Sequence, residues 1–203
     1  YASMTTENGN EIYALSPDGD ILGSFEQPSD GGETMLDLAW DGEYIWGSGE
    51  FWLFGFTPDG RERARFRGVG DVNVGLAWDS ENEWLWSTSA VIDDPIRSFN
   101  RRGDRQVAFD NPGIDIKGLA YWADDPDGYN LYAYYDAPEG GLGVSKMNTE
   151  NGEFVDVGVL NPEGGGTAAG ATITNRYFPM NDVFISVAAT DEGGRVDIWQ
   201  LAA

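Results

Sequence analysis

The feature that most constrains this chain is that it repeats itself. Leu38-Ala39-Trp40-Asp41 recurs 38 residues later as Leu76-Ala77-Trp78-Asp79, and after a further 43 residues as Leu119-Ala120-Tyr121-Trp122. Ala171-Thr172-Ile173 is a fourth, degraded copy. A second landmark keeps step: Leu15-Ser16-Pro17-Asp18-Gly19, Phe56-Thr57-Pro58-Asp59-Gly60, Phe99-Asn100-Arg101-Arg102-Gly103 and Met147-Asn148-Thr149-Glu150-Asn151-Gly152. These read as hairpin turns, in which Pro presets the first turn position and Gly accepts a positive φ later. Between the landmarks lie Tyr44-Ile45-Trp46, Trp84-Leu85-Trp86, Asn130-Leu131-Tyr132 and Val183-Phe184-Ile185. Short aromatic and β-branched runs bounded by Gly, Asp and Asn read as strands, and no segment has helical periodicity.

Each unit therefore carries four strands: a (Leu-Ala-Trp), b (Tyr-Ile-Trp), c (51–57 in the clearest copy) and d (61–66). The period of about 40 residues is that of a four-stranded propeller blade. A blade alone leaves both faces bare, so the Trp and Tyr residues are expected to pack neighbouring sheets around a shared axis. The reading is all-β: one β-propeller domain of about five antiparallel blades, approximately 1–34, 35–73, 74–116, 117–168 and 169–203. Residues 1–27 hold strands b, c and d of the first blade, and 170–203 hold a, b and c of the last. The expectation is thus an excerpt of a six- or seven-bladed ring, or closure by a partner strand, with a compact five-bladed ring as the third arrangement.

Leu38-Ala39-Trp40-Asp41-Gly42-Glu43-Tyr44-Ile45-Trp46 and Gly75-Leu76-Ala77-Trp78 resemble the blades of bacterial, often secreted, β-propeller repeat proteins of the Gly-Leu-Ala-Trp-Asp-Gly type. The resemblance is at the level of single blades and implies a fold more than an activity. The Gly-His and Trp-Asp signature of WD40 repeats is missing, which disfavours a eukaryotic-style scaffold.

Composition excludes several chemistries. With 35 acidic against 12 basic residues the formal charge is -23, and Lys117 and Lys146 are the two lysines. Nucleic acid and anionic membranes need a positive footprint and are excluded as partners. The dispersed acidity reads as a solvated surface and fits a high-salt or marine habitat. There is no Cys and no His, so disulfides, thiolate metal sites and imidazole catalysis are excluded. No apolar run approaches the roughly 18 residues of a membrane helix. The sequence opens at Tyr1 with neither initiator Met nor signal peptide, from which a processed or upstream start, and an extracellular or cell-surface location, are expected.

In a propeller the b–c and d–a connections share one rim and the a–b and c–d turns the other. The b–c connections hold Glu50, Asp93 and Asp94, Asp136 and Glu139, and Asp191 and Glu192. These carboxylates, with Phe51 and Trp52 beside them, form the candidate ligand rim. Hard oxygen ligands suit calcium, with Asp93, Asp94 and Asp136 the weak metal candidates, or a cationic or polyhydroxylated ligand. The plainer account is that so acidic a chain fills its loops with carboxylates by chance, while Phe51 and Trp52 open strand c and pack between blades.

Other conspicuous motifs are absorbed by the repeat. Asp124-Asp125-Pro126-Asp127-Gly128 occupies an a–b turn and lacks the terminal Glu of a calcium loop. Arg102-Gly103-Asp104 sits in a c–d turn, and Gly164-Gly165-Gly166 has no Lys-Ser/Thr after it and reads as a flexible connection. Arg61, Arg63, Arg65 and Arg67 alternate along strand d of one blade and are expected on one face, as a charged, aggregation-resistant edge or a contact for an acidic neighbour. The expected function is a non-catalytic ligand- or protein-binding scaffold module of a secreted or surface protein, with a protein or glycan as ligand. The alternative is a metal-assisted propeller enzyme, lyase, lactonase or glycosidase-like, that works through loop carboxylates.

Overall fold

The computed structural model describes residues 1–7, 9–28, 34–178, 181–191 and 193–201. Five antiparallel sheets follow one another along the chain. Blade 1 is β1 (Ala2–Thr6), β2 (Gly9–Leu15) and β3 (Ile21–Glu26). Blade 2 is β4 (Leu38–Trp40), β5 (Ile45–Ser48), β6 (Trp52–Phe56) and β7 (Glu62–Arg67). Blade 3 is β8 (Asn73–Asp79), β9 (Trp84–Ser89), β10 (Ile96–Phe99) and β11 (Arg105–Phe109). Blade 4 is β12 (Ile116–Tyr121), β13 (Leu131–Asp136), β14 (Leu142–Met147) and β15 (Phe154–Leu160). Blade 5 is β16 (Thr167–Phe178), β17 (Asn181–Thr190) and β18 (Gly193–Gln200). Every sheet is a meander in chain order, the blades form a β-propeller, and the described residues contain no helix.

Period-two alternation gives each blade two apolar faces, and the faces meet in four cores. Ile12 of blade 1 packs on Met35, Ile45, Phe54 and Phe56. Trp46, Leu53 and Phe66 of blade 2 meet Leu76, Leu85 and Phe99 of blade 3. Trp86 and Ile96 meet Leu119, Leu131 and Met147 of blade 4, whose Tyr132, Tyr134 and Leu142 meet Phe184 and Ala188 of blade 5. Burying a large apolar side chain contributes about 1.5–3 kcal/mol, so these aromatic layers supply the inter-blade cohesion that the repeat predicts.

The junctions use a common joint. The c–d turn glycines Gly60, Gly103 and Gly152, all at positive φ, lie against the rings of Phe25, Phe66 and Phe109 from the outer strand of the preceding blade. A side chain at any of the three would overlap that ring. Glycine is needed there twice over, for the turn and for the close approach.

The arginine stripe is shorter than its spacing predicts. β7 begins at Glu62, and a register shift between Gly55 and Phe56 separates Arg61 from the regular ladder. Arg61 instead pairs with Asp59, while Arg65 and Arg67 lie over the Phe54 and Phe51 rings.

Candidate ligand-binding rim

The strands nearest the axis meet around one side chain. Asp37, fully buried just before β4, accepts the N–H of Leu38 at Oδ1 (3.0 Å) and those of Leu76 (2.9 Å) and Leu119 (3.0 Å) at Oδ2. The Ala171 N–H is a further donor, so inner strands of four blades converge on one carboxyl. Burial pushes this carboxyl well above the usual range, and the N–H donors oppose that rise. In the other blades the position before the Leu-Ala or Ala-Thr pair is Gly75, Gly118 or Gly170. A Cβ at Gly170 would lie 2.9 Å from Asp37 Oδ1, and one at Gly118 would meet the backbone of Gly170 and Ala171. Gly170 thus makes room for the aspartate itself, while Gly118 lets the inner strands of blades 4 and 5 approach each other around it.

Above this hub the b–c and d–a connections interlock. Asn73, fully buried, donates its Nδ2 to the carbonyls of Gly49 (3.0 Å) and Glu50 (2.6 Å), and its Oδ1 accepts the Val69 N–H at 2.8 Å. Gly68 N–H bonds the Phe51 carbonyl, and Ala90 N–H the Val72 carbonyl. These bonds tie the b–c loops of blades 2 and 3 to the connection between them. The backbone so fixed presents Phe51 (39% exposed), Trp52 (37%), Val72 (37%), Val91 (53%) and Ile92 (40%) to solvent. Phe51 and Trp52 do not pack between blades as expected. Trp52 opens β6 at its rim end and Phe51 precedes it, with the Arg67 guanidinium over the Phe51 ring at 5.4 Å.

The predicted carboxylates are spread around this rim. Glu50 is half-buried and engaged through its backbone carbonyl; Asp93 is exposed; Asp94 is half-buried in a turn closed by its N–H to the Val91 carbonyl. Asp136 accepts the Ala168 N–H at 2.7 Å, which ties blade 4 to blade 5. Glu139 is exposed in the turn between β13 and β14. Asp191 edges an open depression of about 420 Å³ between Gly164, Thr167 and Thr190. Glu192 lies outside the described residues. Among the described residues no three acidic side chains converge on a point that would hold a metal ion.

The opposite rim is where carboxylates are locked. Asp41 accepts the N–H groups of Glu43 (2.8 Å) and Tyr44 (2.6 Å) and the Trp46 Nε1–H (2.9 Å). Asp79 does the same for Glu81, Asn82 and Trp86. Asp125 does so for Asp127, Tyr129 and the Tyr132 hydroxyl. The Asp124 to Gly128 segment is therefore a turn, closed by Gly128 N–H to the Asp125 carbonyl. Arg101 reaches across blades to Asp41, its Nε 2.9 Å from Oδ2, and covers the Trp78 ring at 4.9 Å. Lys146 pairs with Asp125 and Asp127.

Asp37, Asn73, Val72, Val91 and Ile92 were not singled out by motif reasoning. Aligning the blades shows Asp37 standing where the repeat has glycine, and Val91-Ile92, five and six residues after Trp86, standing where blade 2 has Phe51-Trp52 after Trp46.

No family model matches the chain, and no curated protein sequence matches it. Solved structures do. A chain of the nidogen/laminin complex superposes with a TM-score of 0.64 at 14% identity, covering 97% of this chain and 76% of its own length. Glutaminyl cyclase from Myxococcus xanthus gives 0.62 at 15%, covering 98% and 87%. A protein of unknown function from Bacteroides caccae gives 0.55 at 14%, covering 95% and 69%. At such identities these likenesses concern the fold alone: the chain is built as a β-propeller, a scaffold that hosts both binding proteins and enzymes.

Proposed function

We propose that this propeller is a non-catalytic binding module, that it engages a partner protein or peptide through the rim of blades 2 and 3, and that it belongs to a secreted or surface protein of the bacterial repeat type that its Leu-Ala-Trp-Asp-Gly blades resemble. One observation carries the reading: Phe51, Trp52, Val72, Val91 and Ile92 stand exposed on a backbone that buried Asn73 holds rigid. Apolar side chains fixed in advance on a rigid rim bind with little ordering cost, and exposed clusters of this kind mark interaction surfaces. The flanking Glu50, Asp93 and Asp94 favour ligands with cationic groups.

The metal-assisted enzyme reading has less support. At the axis, the oxygens of Asp37 face N–H donors, which repel a cation. Among the described residues, the loop carboxylates of different blades share no common focus that would hold a metal ion.

The test is a screen of immobilised peptides and glycans, with hits titrated by tryptophan fluorescence. Binding that is lost in the Phe51→Ala/Trp52→Ala double variant, with thermal unfolding unchanged, supports the proposal. Divalent-metal-dependent turnover that disappears in Asp93→Ala or Asp136→Ala overturns it.

A further inference from the structure

The a–b and c–d rim locks its carboxylates into the fold, yet blade 3 departs from its neighbours there in two turns. The first is the c–d turn. Blades 1 and 2 place Pro-Asp before the turn glycine, as Pro17-Asp18-Gly19 and Pro58-Asp59-Gly60, where blade 3 has Arg101-Arg102-Gly103. The turn itself does not require this change, because Asn100 Oδ1 accepts the N–H groups of Arg102 (2.9 Å) and Asp104 (3.0 Å) and closes it. Arg101 is engaged by Asp41 and by the Trp78 ring. Arg102 is left in water: its side chain is 84% exposed, and its ionic partner among the described residues is Asp104, also exposed, at 3.4 Å.

The second departure is the a–b turn. In blades 2, 3 and 4 this turn contains one left-handed residue, which is Gly42 (φ +94°) in blade 2 and Gly128 (φ +76°) in blade 4. Blade 3 uses Glu83 at φ +56°, and among the described residues no other non-glycine has a positive φ. A β-carbon makes this conformation costly for an L-residue, and such outliers concentrate where a side chain has a task besides folding. The Glu83 side chain is exposed and forms no hydrogen bond or ion pair among the described residues.

Both departures open onto one depression of about 310 Å³, lined by Arg102 and Glu83 with Trp84, Asn82 and Gln106. Trp84 is half-buried, packs on the core between blades 3 and 4 and stands edge-on to Trp86 at 6.4 Å, so its ring is a fixed wall. The two amides are oriented from within the fold. Asn82 Nδ2 donates to Asp79 Oδ2 (3.0 Å) and Gln106 Nε2 to the Asp104 carbonyl (2.9 Å), which leaves both amide oxygens as acceptors. An aromatic wall thus stands beside three acceptor groups, one donor and one charge of each sign. The ligand that matches donates several hydrogen bonds, carries little net charge and has an apolar face. A pyranose ring meets all three conditions, since its hydroxyls donate and accept and its C–H face stacks on an indole. We propose that this depression binds a neutral glycan, with one pyranose ring against Trp84, its hydroxyls donating to Glu83, Asn82 and Gln106, and Arg102 donating to one of its oxygens. The site lies on the opposite rim from Phe51 and Trp52 and does not depend on the ligand proposed there.

The probes are cellotetraose, maltotetraose, xylotetraose and mannotetraose, with tetragalacturonic acid as the anionic arm. Each is added to the whole chain while the tryptophan indole N–H signals are followed by NMR, that of Trp84 being assigned with Trp84→Phe. At least one neutral sugar is expected to shift the Trp84 signal with a Kd on the order of 1 mM, as fits a shallow open site. Glu83→Gly relieves the left-handed backbone and is expected to weaken binding about tenfold while the unfolding midpoint holds or rises, a combination that a purely structural glutamate does not give. Arg102→Asp, which installs the residue of blades 1 and 2, is expected to weaken binding about threefold at an unchanged midpoint. The Phe51→Ala/Trp52→Ala variant is expected to bind the sugar as the parent does. The proposal is overturned if no neutral sugar moves the Trp84 signal, if Glu83→Gly and Arg102→Asp leave binding at full strength, if tetragalacturonic acid binds more tightly than every neutral sugar, or if the shift is confined to Trp52, which would move the glycan to the other rim.

Discussion

The two rims of this propeller use the same residue type in opposite ways. On the a–b and c–d side, Asp41, Asp79 and Asp125 are buried and spend their oxygens on backbone N–H groups and on the Trp or Tyr of the next strand. On the b–c and d–a side, Asp93 and Glu139 stand in water, and the exposed features are apolar. A carboxylate that fills its lone pairs inside the fold is structural, however conspicuous its motif. The rim whose backbone is already satisfied by Asn73 leaves its side chains free to bind.

The sharpest break of this contrast is at the axis. Asp37→Ala strands the N–H groups of Leu38, Leu76, Leu119 and Ala171, each of which costs about 1–3 kcal/mol when buried without an acceptor. The expected loss is about 4 kcal/mol in urea unfolding, with part of it absorbed by relaxation or entering water. Asp93→Asn on the rim is expected to stay within about 0.5 kcal/mol of the parent, as surface changes do. Equal losses at the two positions would dissolve the distinction.

Next in size is the joint between blades 2 and 3. Asp41→Ala removes the acceptor for two N–H groups and Trp46, and is expected to cost about 3 kcal/mol. Arg101→Ala removes one exposed partner of the same carboxylate, and its side chain is 37% exposed, so screening holds the loss to about 1 kcal/mol or less. If the arginine proves the costlier of the two, the salt bridge and not the turn cap is the element that matters.

Titration separates two of the buried carboxyls by sign. Burial raises the Asp125 pKa, but the Tyr132 hydroxyl, the Tyr129 N–H and Lys146 outweigh it, so the group titrates below its ordinary value. Its contribution to stability is present above the unfolded pKa of about 3.9 and is lost as pH falls through the folded value. Asp37 is raised by burial, so its contribution is present below about 3.9 and is lost as pH rises through its higher folded value. Relative to the parent, Asp125→Asn should therefore lose less stability on acidification, and the deficit of Asp37→Asn should widen. Unfolding midpoints measured across an acid pH series check both slopes.

The fold was legible because its two landmarks have separate physical causes. Leu-Ala-Trp-Asp marks an inner strand with its turn cap, and Pro-Asp-Gly marks a turn that must also accept a neighbour's ring. The site was less legible. Topology puts Glu50, Phe51 and Trp52 at the connection between β5 and β6, but the carboxylate ring was an inference from loop composition, and the depth at which a loop carboxylate sits depends on how its backbone is pinned. Asn73 does that pinning through bonds to Gly49 and Glu50, residues 24 and 23 positions away, and no local pattern announces them. Asp37 was hidden differently: its partners come from three other blades, so its role appears when the copies are aligned and the glycines opposite it are noticed.

The smallest expected effect on stability bears most directly on function. Trp52 is 37% exposed at the rim end of β6, and Phe51 loses its Arg67 contact on truncation without opening a cavity in any of the four cores. Phe51→Ala and Trp52→Ala are each expected to change unfolding free energy by about 0.5 kcal/mol or less, since an exposed cation–π pair contributes about that much. A fully buried aromatic such as Phe99 should cost about 3–5 kcal/mol by the same measurement. If the rim aromatics approach that cost they are part of the packing, and their exposure would then be incidental. If they stay near zero, the large apolar side chains are retained at a position where folding does not need them, and selection for a ligand is the physical reason that remains.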